Sequence, residues 1–296
     1  MTNGIKGKRN LERLIDPKDV SERFILEFKF TSFQKDAIKL IYDMRIMSTS
    51  QISRALDKGI EYVRKQLLVL YKNGFLYRRY ESEGIGVGSS EAYWMLDRGG
   101  ALFIAGCYEI SVKKLNWDIR SNLIRFEKLA HAVQISEVMT ELREFARVNG
   151  HSVESSYCDR HLYYDFTANG EKLGICPDLF ITYNTGSKIY QFFFEIDMGT
   201  MAITGPISRT SVVINKIPKY EKFAVSKEWK QYFDVYPRIV FLTTTKTRVL
   251  TMVNAIKEVR NSSLDFLVST FDLFKEAALE DIFKRVSDNE ATNLFE

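Results

Sequence analysis

PDLFITY at residues 177–183 and FFFEIDMGT at residues 192–200 decide the fold of the C-terminal half of this 296-residue chain. Each stretch is a short apolar run with a carboxylate at one end, a pattern that indicates two buried neighbouring strands. A turn between them places position 178 opposite position 195. Because side chains alternate along a strand, Glu195 and Asp197 are expected on one face. The sequence therefore predicts that Asp178, Glu195 and Asp197 converge at one end of the two strands.

Three converging carboxylates require a cation or shared protons to offset their mutual repulsion. Their oxygens suit Mg²⁺ or Mn²⁺, and such an ion is expected to activate water and stabilise a phosphoryl transition state. The predicted metal ligands are Asp178, Glu195 and Asp197, and the predicted catalytic residues are these three with Lys216. The alternative is that the acidic residues end their strands facing solvent, paired with Arg238 or Lys216.

The pattern around these strands predicts a mixed sheet flanked by helices in the order αβββαβ, followed by a further helix and strand. The predicted helices are residues 123–148, 209–223 and 247–260. The predicted strands are residues 161–167, 178–183, 188–197, 238–243 and 265–270.

The N-terminal half contains three segments with helical spacing, followed by two strand-sized segments. The predicted helices are residues 31–45, 48–57 and 61–73. Residues 75–80 and 91–96 are expected to form a hairpin around the Gly/Ser-rich segment 84–90. This order is that of a winged helix-turn-helix, in which the third helix enters the major groove and the hairpin loop lies along the DNA backbone.

The predicted contacts to double-stranded DNA are side chains off the apolar stripe of the third helix, with basic residues of the second helix and the hairpin. They are Arg54, Tyr62, Arg64, Lys65, Gln66, Arg78 and Arg79. The charge distribution agrees, because residues 1–120 hold 21 Lys and Arg against 15 Asp and Glu, whereas the remainder holds 21 against 23. Two alternatives stay open: an ordinary solvated surface, or a winged helix that docks a protein.

The acidic strand ends resemble the PD-(D/E)xK motif of restriction-endonuclease-like domains, with Pro177-Asp178 as its first element and Glu195-Ile196-Asp197 as its second. Asp197 stands where that motif has lysine. The resemblance implies that Lys216 or Lys219 of the next helix supplies the missing group, or that the site is degenerate.

The whole combination resembles the replication-relaxation family over roughly residues 30–245. The winged helix, a long helix carrying His131, the two strands and a downstream K-x-x-x-Y from Lys216 to Tyr220 carry this resemblance. It implies a protein of plasmids and other mobile elements of Gram-positive bacteria, acting in plasmid replication and DNA relaxation. Replication or relaxation proteins are then the expected partners besides DNA.

Composition excludes several other classes. The chain is 45% hydrophobic and 27% charged, which excludes a disordered protein, and no apolar run approaches the roughly 18–20 residues of a membrane span. Three widely spaced cysteines favour a reducing cytosol, and the family resemblance implies that this is the cytoplasm of a bacterium. No zinc is expected, because Cys158 and His161 lack a second ligand pair at metal-binding spacing. No nucleotide cofactor is expected, because GIGVG at residues 84–88 lacks the strand-to-helix context of a phosphate loop.

These observations predict an α+β chain with four parts. They are an N-terminal arm at 1–30, a winged-helix DNA-binding domain at 31–107, a connector at 108–121 and a nuclease-like domain at 122–296. The missing lysine at position 197 favours a DNA-binding accessory protein with a degenerate nuclease-like domain. An active Mg-dependent nickase or endonuclease, and a transcription regulator with a C-terminal sensing domain, are the alternatives. The sequence leaves the oligomeric state open, a homodimer included.

Overall fold

The computed structural model describes residues 12–80, 91–115, 117–122, 124, 126–158, 162–205 and 212–296. The chain divides into two compact units, Met1–Arg125 and Phe126–Glu296, called here the N-terminal and C-terminal units. The predicted α+β class is confirmed. The segment predicted as the wing loop, residues 84–90, lies outside the described residues, as do His161 and residues 1–11 of the predicted arm.

The N-terminal unit contains the three predicted helices and two flanking ones. They are α1 (Glu22–Glu27), α2 (Ser32–Met44), α3 (Thr49–Ala55), α4 (Ile60–Lys72) and α5 (Arg98–Cys107). Thr31 and Ser48 begin α2 and α3 as capping boxes, in which each hydroxyl accepts the third backbone N–H of the helix. Val63, Leu67 and Leu70 form the fully buried stripe that holds α4 in the core.

Three short strands complete the N-terminal unit: β1 (Met47–Ser48), β2 (Leu76–Tyr80) and β3 (Ala92–Leu96). β2 and β3 pair antiparallel as predicted, and the two-residue β1 adds to the other edge of β3. Helices α2, α3 and α4 are thus followed by the β2–β3 hairpin.

Between its first two helices the C-terminal unit has five strands, of which three join the main sheet, so the predicted αβββαβ order holds for the elements of that sheet. Its helices are α6 (Phe126–Val148), α7 (Ile217–Ser226), α8 (Lys246–Val259) and α9 (Phe271–Ala277). Its strands are β4 (Ser152–Cys158), β5 (Tyr164–Ala168), β6 (Glu171–Ile175), β7 (Leu179–Asn184), β8 (Ile189–Ile196), β9 (Arg238–Thr243), β10 (Phe266–Thr270), β11 (Phe283–Arg285) and β12 (Ala291–Thr292). Seven of these strands form one mixed sheet in the order β12-β11-β10-β9-β8-β7-β4, in which β8, β9 and β10 run parallel.

The central strand β8 sets the position of the acidic residues. Phe192, Phe193 and Phe194 are all fully buried, so both faces of β8 are covered. β7 pairs antiparallel with β8 in the register Leu179 to Phe194, and the Asp178 N–H donates to the Phe194 carbonyl at 3.1 Å. Position 178 therefore lies opposite position 195, as predicted.

One strand prediction for this unit is wrong. The segment predicted as the first strand of the sheet forms instead a separate hairpin, β5–β6, that packs on α7. The edge strand β4 takes its place in the sheet, and its polar sequence SVESSYC gave no apolar signal. Asn169 and Gly170, which join the two strands of this hairpin, both have positive φ, as its two-residue turn requires.

The helix predicted at 209–223 begins later than expected. Val213–Lys216 form a 3₁₀ helix, and α7 begins at Ile217 with Pro218 in its first turn. Proline is tolerated there because its missing N–H has no intrahelical acceptor. Residues 209–211 lie outside the described part of the chain.

Candidate functional site

Asp178 and Glu195 form the centre of the candidate site. Asp178 directly precedes β7, and its Oδ2 accepts the Ile196 N–H at 2.8 Å. Glu195, near the end of β8, is almost fully buried. The strand register therefore holds the two carboxylates side by side at one edge of the sheet, as the sequence predicts.

Lys216 reaches both carboxylates from the 3₁₀ helix that precedes α7. Its Nζ donates to Glu195 Oε2 and lies 3.9 Å from Asp178 Oδ2. Lys219, one turn further on, is exposed and forms no ion pair with a described residue. Of the two lysines considered, Lys216 is therefore the one that contacts the carboxylates.

Two further side chains complete the cluster, and sequence reasoning gave neither a role. The Tyr220 hydroxyl donates to Glu195 Oε1. His131 Nε2 lies 3.0 Å from the Ile196 carbonyl oxygen and 3.5 Å from Asp178 Oδ2, so a proton on Nε2 faces both acceptors. The K-x-x-x-Y spacing was the available signal for Tyr220, because residues four apart lie on one helix face. We call Asp178, Glu195, Lys216, Tyr220 and His131 the carboxylate–lysine cluster.

Burial and charge shift the pKa values of this cluster in different directions. Burial raises the pKa of Glu195 to about 7 against the opposing charge of Lys216. Burial also opposes ionisation of Asp178, but the charge of Lys216 and the contact with His131 hold its pKa well below the usual value. Lys216 itself keeps its proton, because Glu195 and Asp178 outweigh burial and raise its pKa. The two carboxylates therefore occupy different protonation regimes near neutral pH.

The predicted convergence of three carboxylates is wrong for Asp197. Its carboxylate accepts hydrogen bonds from the Arg248 guanidinium and, at 2.5 Å, from the Thr243 hydroxyl. Arg248 also donates to the Met201 carbonyl at 2.6 Å. Asp197 lies past the end of β8, where strand alternation no longer fixes the direction of its side chain. Its charge is balanced by the buried ion pair with Arg248.

Without Asp197, two carboxylates remain as possible ligands of a divalent ion, those of Asp178 and Glu195. Within the described ranges, no group of three His, Cys, Asp or Glu side chains is arranged to hold a metal. Mg²⁺ needs only one or two protein carboxylates when water and phosphate complete its shell, so the chemistry of Asp178 and Glu195 is suitable. The Lys216 ammonium already bonds to Glu195, so an ion held by both carboxylates would have to displace that contact.

The predicted DNA contacts on α4 lie at the surface of the N-terminal unit. Tyr62, Arg64 and Lys65 are exposed, while Gln66 is half-buried and accepts from Gln34 at 2.8 Å. Arg64 pairs with Glu61 on its own helix. Three of the four residues are therefore accessible to a ligand, and Gln66 is engaged in packing.

The other predicted contacts are half-buried. Arg78 stacks over the rings of Tyr71 and Tyr80, at 4.6 and 4.8 Å from the ring centroids. Arg79 donates to the Ile124 carbonyl at 2.6 Å, and Arg54 lies on α3. Arg78 and Arg79 therefore have structural partners within the unit, so any role of theirs in binding DNA would use their remaining donors.

A model of the family described as replication-relaxation matches residues 38–239, more than half of the chain. No curated protein matches this chain. Among solved structures, the restriction endonuclease FokI bound to DNA is similar at 14% identity and a TM-score of 0.25, over 85% of this chain and 46% of the endonuclease. The match thus spans less than half of that enzyme, and a likeness this weak assigns neither fold nor activity. Of the helices the structure describes, none has the length and apolar character needed to cross a bilayer.

Proposed function

This chain belongs to the replication-relaxation family, and we propose that it is a DNA-binding accessory protein of plasmid or mobile-element replication or DNA relaxation. It recognises duplex DNA through the N-terminal unit and works in the bacterial cytoplasm. Its partners are the replication or relaxation proteins that act at the same DNA.

The exposed face of α4 is the observation that carries this proposal. Lys65 lies on the side away from the stripe that anchors the helix in the core, and it is flanked by the exposed Arg64 and by Tyr62, whose 42% exposed ring also packs edge-on against Phe33. A rigid helix with cationic and hydrogen-bonding side chains outward suits the major groove. The order of three helices and a hairpin supports the same docking.

The carboxylate–lysine cluster supports the accessory role of the C-terminal unit. Lys216 offsets the charge of Glu195, and Asp178 is held by a backbone N–H and His131. The cluster is therefore satisfied by the chain's own groups. In this proposal the unit is a scaffold that docks a replication or relaxation protein.

The position of Lys216 favours one second candidate, a Mg²⁺- or Mn²⁺-dependent DNA nickase. In that case Asp178 and Glu195 would hold the ion, which supplies water activation and charge stabilisation when bound. Lys216 would leave Glu195 and place its ammonium beside the phosphate where negative charge develops. Asp197 has no part in this candidate, because Arg248 and Thr243 hold it.

One experiment tests both candidates: incubate the purified chain with a supercoiled plasmid carrying its own replicon, with Mg²⁺, Mn²⁺ or chelator. Asp178→Ala is assayed alongside, and Asp178→Asn controls for shape because it keeps an acceptor for the Ile196 N–H.

The accessory role predicts a shift of the plasmid on a gel without nicking, and the same shift for both variants. Nicking that needs the divalent ion and disappears in both variants would establish the nickase instead. No shift under any condition would refute DNA binding.

A further inference from the structure

A cavity of about 560 Å³ in the C-terminal unit opens beside the carboxylate–lysine cluster. The hairpin β5–β6 lines one side, with Lys172 and Gly174, and the segment leading into α7 lines the other, with Lys216 and Lys219. Sites for drug-sized molecules measure roughly 300–1,000 Å³. The space therefore suits one nucleotide and is far too small for a duplex.

Tyr163 presents an unusually exposed aromatic ring to this cavity. Its neighbours Leu162 and Tyr164 are buried in the core, while Tyr163 is 64% exposed because alternation turns it to the other side. A Cβ on Gly174 would lie 2.7 Å from the Tyr163 hydroxyl, so the missing side chain leaves room for the ring. No ring contact to another described residue covers it. Proteins that bind unpaired strands stack the bases on exposed aromatic rings beside positively charged grooves, and Tyr163 has this arrangement.

Two lysines supply positive charge around the ring. Lys172 on β6 and Lys219 on α7 are exposed, and neither forms an ion pair with a described residue. The acidic lining residues are Asp165 and Glu195, and Glu195 is already paired with Lys216. Lys172 and Lys219 then outnumber the remaining carboxylate, Asp165, so the cavity lining has a net positive charge, which favours an anionic ligand and disfavours an apolar one.

We propose that this cavity binds one unpaired nucleotide of a DNA strand. The Tyr163 ring stacks on the base, and Lys172 and Lys219 contact the flanking phosphates. The strand is thereby held beside Lys216. This inference rests on the proposed DNA-binding function and names the form of DNA that the C-terminal unit takes.

The test is titration of the full chain into a single-stranded oligonucleotide carrying 2-aminopurine, whose fluorescence falls when its base stacks. Tyr163→Ala should abolish the quenching and weaken affinity about five-fold or more, whereas Tyr163→Phe should retain both. Gly174→Ala should act like Tyr163→Ala, because the new methyl displaces the ring without removing it.

Lys219→Gln should weaken binding and lower the salt dependence by about 0.7 in log–log slope, the value for one phosphate contact on a single strand. Lys222→Gln is the matched control, because this exposed lysine lies on the same helix but outside the cavity. Its binding should equal that of the wild type.

Equal quenching and affinity in the wild type and Tyr163→Ala would overturn the inference. A free deoxynucleotide that displaces the oligonucleotide at equal concentration would also overturn it, since the site would then recognise a nucleotide and not a strand. Duplex binding in the same variants separates this failure from failure of the proposed function. Duplex affinity that persists in Tyr163→Ala leaves the N-terminal unit's role intact whatever the cavity binds.

Discussion

Replacing Lys216 with methionine removes the cation that bonds to Glu195 and leaves the length of the side chain nearly unchanged. Among the described residues Glu195 then keeps only the Tyr220 hydroxyl as a side-chain partner, and its side chain is 4% exposed. A buried carboxylate without its cation must either remain charged at a large desolvation cost or take up a proton. We expect Lys216→Met to destabilise the C-terminal unit.

The structure sets the size of this effect. Removing one partner of a fully buried ion pair costs about 3–5 kcal/mol. The Lys216 side chain is 35% exposed, so solvent screens part of the attraction and we expect about 2–3 kcal/mol. For a unit the size of Phe126–Glu296, that corresponds to a fall in Tm of about 5–10 °C.

The effect should also depend on pH. Burial raises the pKa of Glu195 to about 7, so the folded chain holds a proton that the unfolded chain releases near pH 4.5. Stability from this group is full below about pH 4.5 and falls as pH rises towards 7. Without the charge of Lys216 the pKa rises further and the fall continues above pH 7. The deficit of Lys216→Met should therefore be larger at pH 8 than at pH 5.5.

The assay is thermal and urea unfolding at both pH values, followed by near-UV circular dichroism. Lys219→Met is the matched control, since this lysine is exposed and lies one turn further along. It should change stability by no more than about 0.5 kcal/mol. Equal stabilities for Lys216→Met and Lys219→Met, or a larger deficit at pH 5.5, would refute the pairing of Lys216 with a buried Glu195.

Substitutions at three other positions should also change stability. Glu195→Gln should flatten the decline in stability between about pH 5 and 7, and an unchanged pH profile in urea unfolding would contradict the raised pKa. Asp197→Asn should destabilise the C-terminal unit by about 3 kcal/mol because it leaves the Arg248 guanidinium without its counter-charge, and a urea midpoint equal to that of the wild type would count against this pair. Gly100→Ala should destabilise the N-terminal unit by about 1–3 kcal/mol, since the added methyl would clash with the Phe75 carbonyl oxygen; a Tm within 2 °C of the wild type would show that the backbone yields.

The carboxylate pair could be predicted from sequence because it depends on local rules. Strand alternation and a single hairpin register place Asp178 opposite Glu195, and the structure confirms that register. The capping boxes at Thr31 and Ser48 are likewise local, since each involves residues three apart. These predictions succeeded because each depends on residues that are close together in the sequence.

Contacts between distant segments could not be predicted in this way. Arg248 reaches Asp197 from a helix 51 residues further along the chain, and nothing in the sequence near either residue indicates the partner. β4 is a polar strand that is fixed by pairing with β7 and not by apolar alternation. The sequence offered two candidates, Lys216 and Lys219, for the lysine that contacts the carboxylates. The 3₁₀ helix before Pro218 places Lys216 against Glu195, and this helix could not be predicted.

The proposed function depends above all on binding of duplex DNA by the outward face of α4. The direct test measures the Kd for a duplex from the chain's own replicon between 50 and 200 mM salt, a range over which phosphate contacts change affinity strongly. Arg64→Ala/Lys65→Ala is compared with Lys35→Ala/Lys39→Ala, which removes the same charge from exposed positions on α2. We predict that the α4 variant binds more weakly with a log–log salt slope reduced by about 2, and that the α2 variant matches the wild type. Equal affinities and slopes for all three proteins, or equal losses in both variants, would contradict the claim.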